Sequence, residues 1–263
     1  VVIAMVLTLA KRDYDPTLMD AFGVVVCDEA HHMAAPVMNQ AMRLFRARYV
    51  LGLSATVIRP DGLTPLLHWS LGPLGVHIER DCDPVRVSVA LYHHTAPREI
   101  LTRDGKPLIA LMINALAKHP GRNEFLVERI LAYRRAHRVI IVLSDRIEQL
   151  RILRARLAVG GLGEEEVGLF VGATKEAQRA AELAKPVVLC SYAMANEGLD
   201  KKQLDTCVMA TPKGRVTQCI GRVQRPCATK QLPLVLDVAD TYSVFVPLRW
   251  KRQGYYRKEG YKV

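Results

Sequence analysis

Short apolar runs alternate with amphipathic stretches along the chain. Val24-Val25-Val26-Cys27 is uninterrupted and mostly β-branched, which predicts a strand buried on both faces of a parallel sheet. Val1–Leu9 predicts a strand and turn before it, and Lys11–Pro16 a loop or short helix start. Pro36 suits the first turn of a helix whose Met38, Ala41, Met42 and Phe45 face a core, and Tyr49–Leu53 is a second buried strand beside the first. Val85–Tyr92 alternates as a strand, and Asp104-Gly105-Lys106-Pro107 is a turn. Beyond residue 120, helix and strand patterns alternate, as in a parallel sheet. Strands are expected at Val139–Leu143, Gly168–Val171, Val187–Cys190, Thr206–Ala210 and Leu232–Val238. Asn123 is expected to cap a helix running to Ala136, Asp145 with Glu148 to form a capping box, and Thr174 to cap the next helix. Ile147, Leu150, Leu153 and Leu157 should face the core. The fold class is therefore α/β, in blocks 1–83, 84–119 (a connector and one strand) and 120–263.

Composition adds three constraints. A net charge of +11 over 263 residues favours an anionic partner, nucleic acid first. The six cysteines show no metal-ligand spacing and fall mostly in apolar runs, which suits reduced, buried thiols and an intracellular setting. No apolar run reaches the roughly 18–20 residues of a membrane span. The first residues already read as structure and no Met begins them, so the chain is expected to start in mid-domain.

Asp28 and Glu29 follow the first buried strand, at the end where α/β sheets bind ligands. One carboxylate there can hold Mg²⁺ and the other can take a proton from an attacking water. The adjacent pair His31-His32 cannot share a helix face, which excludes a zinc-protease motif. Ser54 and Thr56 leave the neighbouring strand and can reach the same carboxylates or the His pair. His93-His94 reads as a polar strand end. In a helix over 214–225, Gln218, Arg222 and Arg225 share one face opposite Val216, Ile220 and Val223, and such an amide and guanidinium pair suits a polyphosphate. The tail from Arg249 to Lys262 interleaves bases with aromatics. It could stack on a nucleic-acid strand, but packing on the second block is the expected role.

In this order the stretches resemble superfamily 2 helicases and translocases. Asp28-Glu29-Ala30-His31 looks like the DExH motif, Ser54-Ala55-Thr56 the coupling motif, Asn196-Glu197-Gly198-Leu199-Asp200 the fifth motif, and Gln218-x-x-Gly221-Arg222-x-x-Arg225 the arginine-finger motif. The stretch from Leu51 through Arg59-Pro60-Asp61-Gly62 is similar to the xeroderma-pigmentosum-B-like group and to helicases of large DNA viruses, including the poxvirus transcript-release type. The resemblance implies two RecA-like parallel-sheet domains with ATP and Mg²⁺ between them. The first would be incomplete and end near 83, and the second would occupy 120–263. It implies that Asp28 holds Mg²⁺, that Glu29 polarises water, and that His31, Gly198 and Asp200 line the nucleotide site. Gln218, Arg222 and Arg225 would reach the phosphates, Ser54 and Thr56 would couple, and Arg59 and Asp61 would touch nucleic acid. DNA is the expected strand, a monomeric motor the expected form, and no membrane is involved. The family's Gly-x-x-x-x-Gly-Lys phosphate loop is absent from these residues. An N-terminally truncated helicase, inactive by itself, accounts for that absence. A degenerate, non-catalytic RecA-like module that binds nucleic acid or a protein is the alternative.

Overall fold

The computed structural model describes residues 1–54, 61–78, 84–95, 99–195, 199–214 and 216–263, with the backbone alone at 196–197. The chain divides into two compact units, Val1–Arg80 and Asp81–Val263.

In the first unit, β1 (Val24–Cys27) and β2 (Tyr49–Gly52) pair in parallel, with Val24 opposite Tyr49 and Cys27 opposite Gly52. A 3-10 turn (Ala30–Ala34) and α3 (Pro36–Met42) make the crossover, with Pro36 in the first turn as expected. Cys27, Met33, Ala34 and Leu67, the last from α4 (Thr64–Leu71), form a small core to which Met38 and Met42 add. Two expectations are corrected. The opening strand is instead a helix, α1 (Val6–Lys11), after an extended exposed start. An apolar run of that length fits either state, and α1 finds its partner in α3. Neither β1 nor β2 is buried on both faces: Val24, Val26, Tyr49 and Leu51 are each more than half exposed, while Cys27 faces the core. With only two strands, the described residues cover one side of this sheet. Between α1 and β1, Pro16 opens α2 (Pro16–Asp20), whose cap is the Asp15 carboxylate accepting from the Thr17 amide at 2.9 Å.

The described residues of the second unit form a six-stranded sheet in the order β3-β8-β7-β4-β6-β5, and every pairing among them is parallel. The strands are β3 (Arg86–Tyr92), β4 (Ile140–Ser144), β5 (Val167–Phe170), β6 (Val187–Ser191), β7 (Thr206–Met209) and β8 (Leu234–Asp240). Side-chain alternation splits the core in two. Ile140 and Val142 face α6 (Pro120–Arg135) and α7 (Ile147–Val159). Ile141 and Leu143 face the layer of α9 (Tyr192–Glu197), α10 (Thr217–Val223) and α11 (Phe245–Lys258). α8 (Glu176–Ala184) packs on the edge strand β5. Burial pushes the Cys190 thiol up to about 12 and Cys219 to about 11, so both stay un-ionised at neutral pH. The described cysteines are free thiols, as expected.

Three caps differ from expectation: a tertiary partner takes the side chains of Asn123 and Asp145, and a local turn takes that of Thr174. His119 caps α6, its Nδ1 accepting from the Arg122 amide at 3.1 Å. Asn123 lies buried one turn inside, bonded to the Ala117 carbonyl and to Gln149. Asp145 makes no cap but pairs with Lys213 Nζ at 2.8 Å. The Thr174 hydroxyl ties the turn after β5 instead, donating to the Leu169 carbonyl. Ile147 is also partly exposed, unlike Leu150, Leu153 and Leu157. A helix not anticipated in the connector, α5 (Ile109–Lys118), buries Met112, Ile113, Leu116 and Ala117.

Candidate functional site

The candidate residues fall in two groups, one in each unit. In the first, β1 ends at Cys27, and the chain turns sharply because Glu29 adopts a left-handed conformation (φ 47°, ψ 46°). For a residue with a Cβ this is uncommon backbone. The Glu29 amide donates to Asp28 Oδ1 at 2.8 Å, which ties the turn. Past the turn, the Ala30 amide donates to the Leu53 carbonyl and the Leu53 amide to the Cys27 carbonyl, each at 2.8 Å. The pairing of β1 with β2 thus continues one step beyond the strands and sets the acidic pair beside Ser54. His31 joins the two strand ends: its Nδ1 lies 3.1 Å from Ser54 Oγ and 3.3 Å from Glu29 Oε2. Gly52 makes this close approach possible, since an added Cβ would sit 3.1 Å from Ala30 Cβ and 2.9 Å from Leu71 Cδ1.

Asp28 and Glu29 are both exposed. One carboxylate oxygen of Asp28 is engaged in the turn, and among the described residues no hydrogen bond reaches the other. Among the described residues no three ligating side chains gather. Mg²⁺ fits such a site because it commonly takes one or two carboxylates and completes its shell with phosphate oxygens and water. Asp61 Oδ1 accepts from the Leu63 amide at 3.2 Å in the expected turn, where Gly62 has φ +77°. Thr56 and Arg59 lie outside the described residues, as does Gly198.

In the second unit, Arg222 and Arg225 converge on the loop after α9. Arg222 Nη1 donates to the Leu199 carbonyl at 2.9 Å. Arg225 Nη1 reaches the same carbonyl at 3.2 Å and Asp200 Oδ1 at 2.5 Å. The expected two-faced pattern holds: Val216, Ile220 and Val223 are buried, whereas Gln218, Arg222 and Arg225 are half-buried. The helix itself is shorter than the expected 214–225 span, and Arg225 lies just past its end. The loop is pinned from below by the buried Lys201, whose Nζ donates to the Leu183 and Lys185 carbonyls at 2.6 and 2.5 Å.

Burial pushes Lys201 down to about 8 from an ordinary 10.5. Between those values the unfolded chain binds more protons, so this group makes stability rise with pH from about 8 to about 10.5. Denaturant titrations of the parent and of Lys201→Met should therefore diverge in favour of the parent as pH rises, by on the order of 1 kcal/mol per pH unit. Parallel profiles would contradict this assignment.

The residues missed from sequence form a buried network at the carboxyl ends of β3 and β8. Asp240 takes Arg122 Nε at 2.9 Å, Arg122 Nη2 at 3.0 Å and His94 Nε2 at 2.8 Å. Burial would raise the Asp240 carboxyl, but the Arg122 guanidinium and these hydrogen bonds outweigh it and hold the group below its usual range. His94 is thus a strand-end residue engaged by a carboxylate far away in sequence.

The comparisons with known proteins bear on this arrangement. The profile of the family described as the type III restriction enzyme, res subunit, matches residues 1–59. A protein of Acanthamoeba polyphaga mimivirus, named for ATP-dependent RNA helicase activity, is 30% identical over 270 residues, covering 100% of this chain and 52% of the relative. A protein of Escherichia phage T5 named as a helicase is 27% identical, covering 94% of this chain and 55% of its own length. The chain is similar to helicases over its whole length. A protein of African swine fever virus (isolate Tick/Malawi/Lil 20-1/1983), again named for ATP-dependent RNA helicase activity, is 25% identical over 289 residues, covering 100% of this chain and 55% of the relative. The chain spans about half the length of these helicase relatives. Among solved structures, T4 UvsW shares the fold with a TM-score of 0.52 at 16% identity, over 97% of this chain and 55% of that one.

Proposed function

We propose that this chain is the part of an ATP-driven helicase or translocase that carries the acidic motif and the arginine helix. The observation that carries the proposal is the Asp28–Glu29 turn, held against Ser54 through His31. Asp28 would hold Mg²⁺ with the nucleotide, and that ion would supply charge neutralisation at the phosphates. Glu29 orients and deprotonates the attacking water. His31 Nδ1 lies within reach of both Glu29 and Ser54, so a change at the carboxylate would alter which of the two it engages and be felt at the second strand end. Gln218, Arg222 and Arg225 stabilise the charge that spreads over the transferred phosphoryl group. Arg225's contacts to Leu199 and Asp200 both run through Nη1, and among the described residues the other edge of its guanidinium is left to meet a phosphate. Gly198 and Asp200 carry the nucleotide state into the loop, Thr56 acts with Ser54, and Arg59 with Asp61 touches the strand. Binding and hydrolysis of ATP would drive the conformational change that moves the strand.

The subgroup reading, toward the xeroderma-pigmentosum-B-like and poxvirus types, rests on the stretch from Leu51 to Gly62. DNA is the proposed strand, and the relatives named for RNA helicase activity make RNA the second arm of the test. The phosphate loop, absent from these 263 residues, would come from elsewhere in the full-length protein. Phosphate release should be stimulated by single-stranded DNA or RNA in the full-length protein and be lacking in the 263-residue chain. Nucleic-acid binding without any turnover in the full-length protein would instead support the non-catalytic module.

A further inference from the structure

Helix α11 divides the two readings of the basic, aromatic tail between its two sides. Its inner side is core: Phe245, Arg252 and Tyr256 are buried. Arg252 Nε and the Tyr256 hydroxyl both donate to Asp237 Oδ2 at 2.8 Å, and Arg252 Nη1 donates to the Lys213 carbonyl at 2.8 Å. These bonds fix the rotation of the helix. Its outer side therefore presents Trp250, Lys251, Gly254, Arg257 and Lys258, all exposed, with Gly254 three or four residues from each of the other four. Trp250 is 53% exposed, and the Arg249 guanidinium lies 4.8 Å from the centre of its ring. No acid occurs from Phe245 to Lys258, and a Cβ added at Gly254 would meet nothing within 4 Å.

We infer that this outer face is a contact for single-stranded polynucleotide, with the backbone phosphates along Lys251, Arg257 and Lys258 and one base stacked on Trp250. The helix macrodipole accounts for basic residues in the last turn only, which leaves Trp250 and Lys251 unexplained by it. An aromatic plate beside a line of cations, with a glycine allowing close approach between them, matches how sequence-tolerant single-strand sites are built. The phosphodiester chemistry is common to DNA and RNA, so both belong in the test. The inference rests on nucleic acid being the partner and adds a surface outside the motif residues.

The test measures binding of fluorescein-labelled 20-nucleotide oligothymidylate and oligouridylate by anisotropy across a salt series, using the full-length protein. A triple variant, Lys251→Gln with Arg257→Gln and Lys258→Gln, should weaken binding at least tenfold at low salt. It should also reduce the slope of log affinity against log salt by about 2, at roughly 0.7 per phosphate contact. Trp250→Ala should weaken binding about 5- to 100-fold with the slope unchanged. A control of equal charge loss, Arg103→Gln with Arg135→Gln and Arg151→Gln, should bind as the parent does. If the parent binds and the triple variant matches it in affinity and slope, or the control loses as much, the α11 contact is wrong while the motor reading stands. If the parent binds neither oligonucleotide, both fail. Binding of anionic vesicles but not oligonucleotides, lost in the triple variant, would assign the face to a membrane and overturn the inference.

Discussion

Replacing Glu29 by Gln in the full-length protein is expected to cut nucleic-acid-stimulated ATP hydrolysis by about 100- to 10,000-fold, the range for loss of a positioned general base. The amide keeps the size and shape of the side chain, and it can still bond His31, whose Nδ1 lies 3.3 Å from Glu29 Oε2. The left-handed turn at this residue depends on backbone geometry and on Asp28, so it should survive. Nucleotide binding should therefore persist while turnover is lost, as read by equilibrium binding beside phosphate release. A variant that hydrolyses at the parent rate would remove Glu29 from the chemistry.

The largest stability effect is expected at Arg122. Its guanidinium and the Asp240 carboxylate are both fully buried, and the described partner left to that carboxylate after truncation is His94. Arg122→Met should cost about 3–5 kcal/mol in urea titrations, since it strands a buried charge. A double variant, Arg122→Met with Asp240→Leu, should recover much of that loss because no charge is stranded. A single variant within about 1 kcal/mol of the parent would show that the pair is hydrated in solution.

What could be read in the sequence was whatever depends on short-range pattern. The runs at Val24–Cys27, Val139–Leu143 and Val187–Cys190 are strands because β-branched apolar residues there have no helical period, and the pairing of β1 with β2 follows from a crossover of ordinary length. The amphipathic faces around Ile220 and Arg222 could be read from helical spacing alone. Local hydrogen-bonding choices were not legible. Asp145 was free by sequence to cap α7, and it pairs with Lys213 instead because β7 brings that lysine beside it. His119 took the cap expected of Asn123, which the core claims through Gln149. The Arg122–Asp240–His94 network joins residues separated by more than a hundred positions, and no periodicity records such a meeting. α5 does carry a signal, in the helical spacing of Met112, Ile113, Leu116 and Ala117. In the candidate site, the nearness of Asp28, Glu29 and Ser54 was foreseeable from strand ends. The αL turn at Glu29 and the bridging position of His31 needed three-dimensional structure.

The acidic turn and the arginine helix are proposed to serve the same phosphoryl transfer. Binding of ADP alone and of ADP with aluminium fluoride, a mimic of the transferring phosphoryl group, tests this in the full-length parent, in Glu29→Gln and in Arg225→Lys. Both variants should bind ADP nearly as the parent does and lose at least tenfold of the parent's preference for the fluoride complex. If either variant keeps that preference intact, its group does not meet the reacting phosphate, and the account is contradicted.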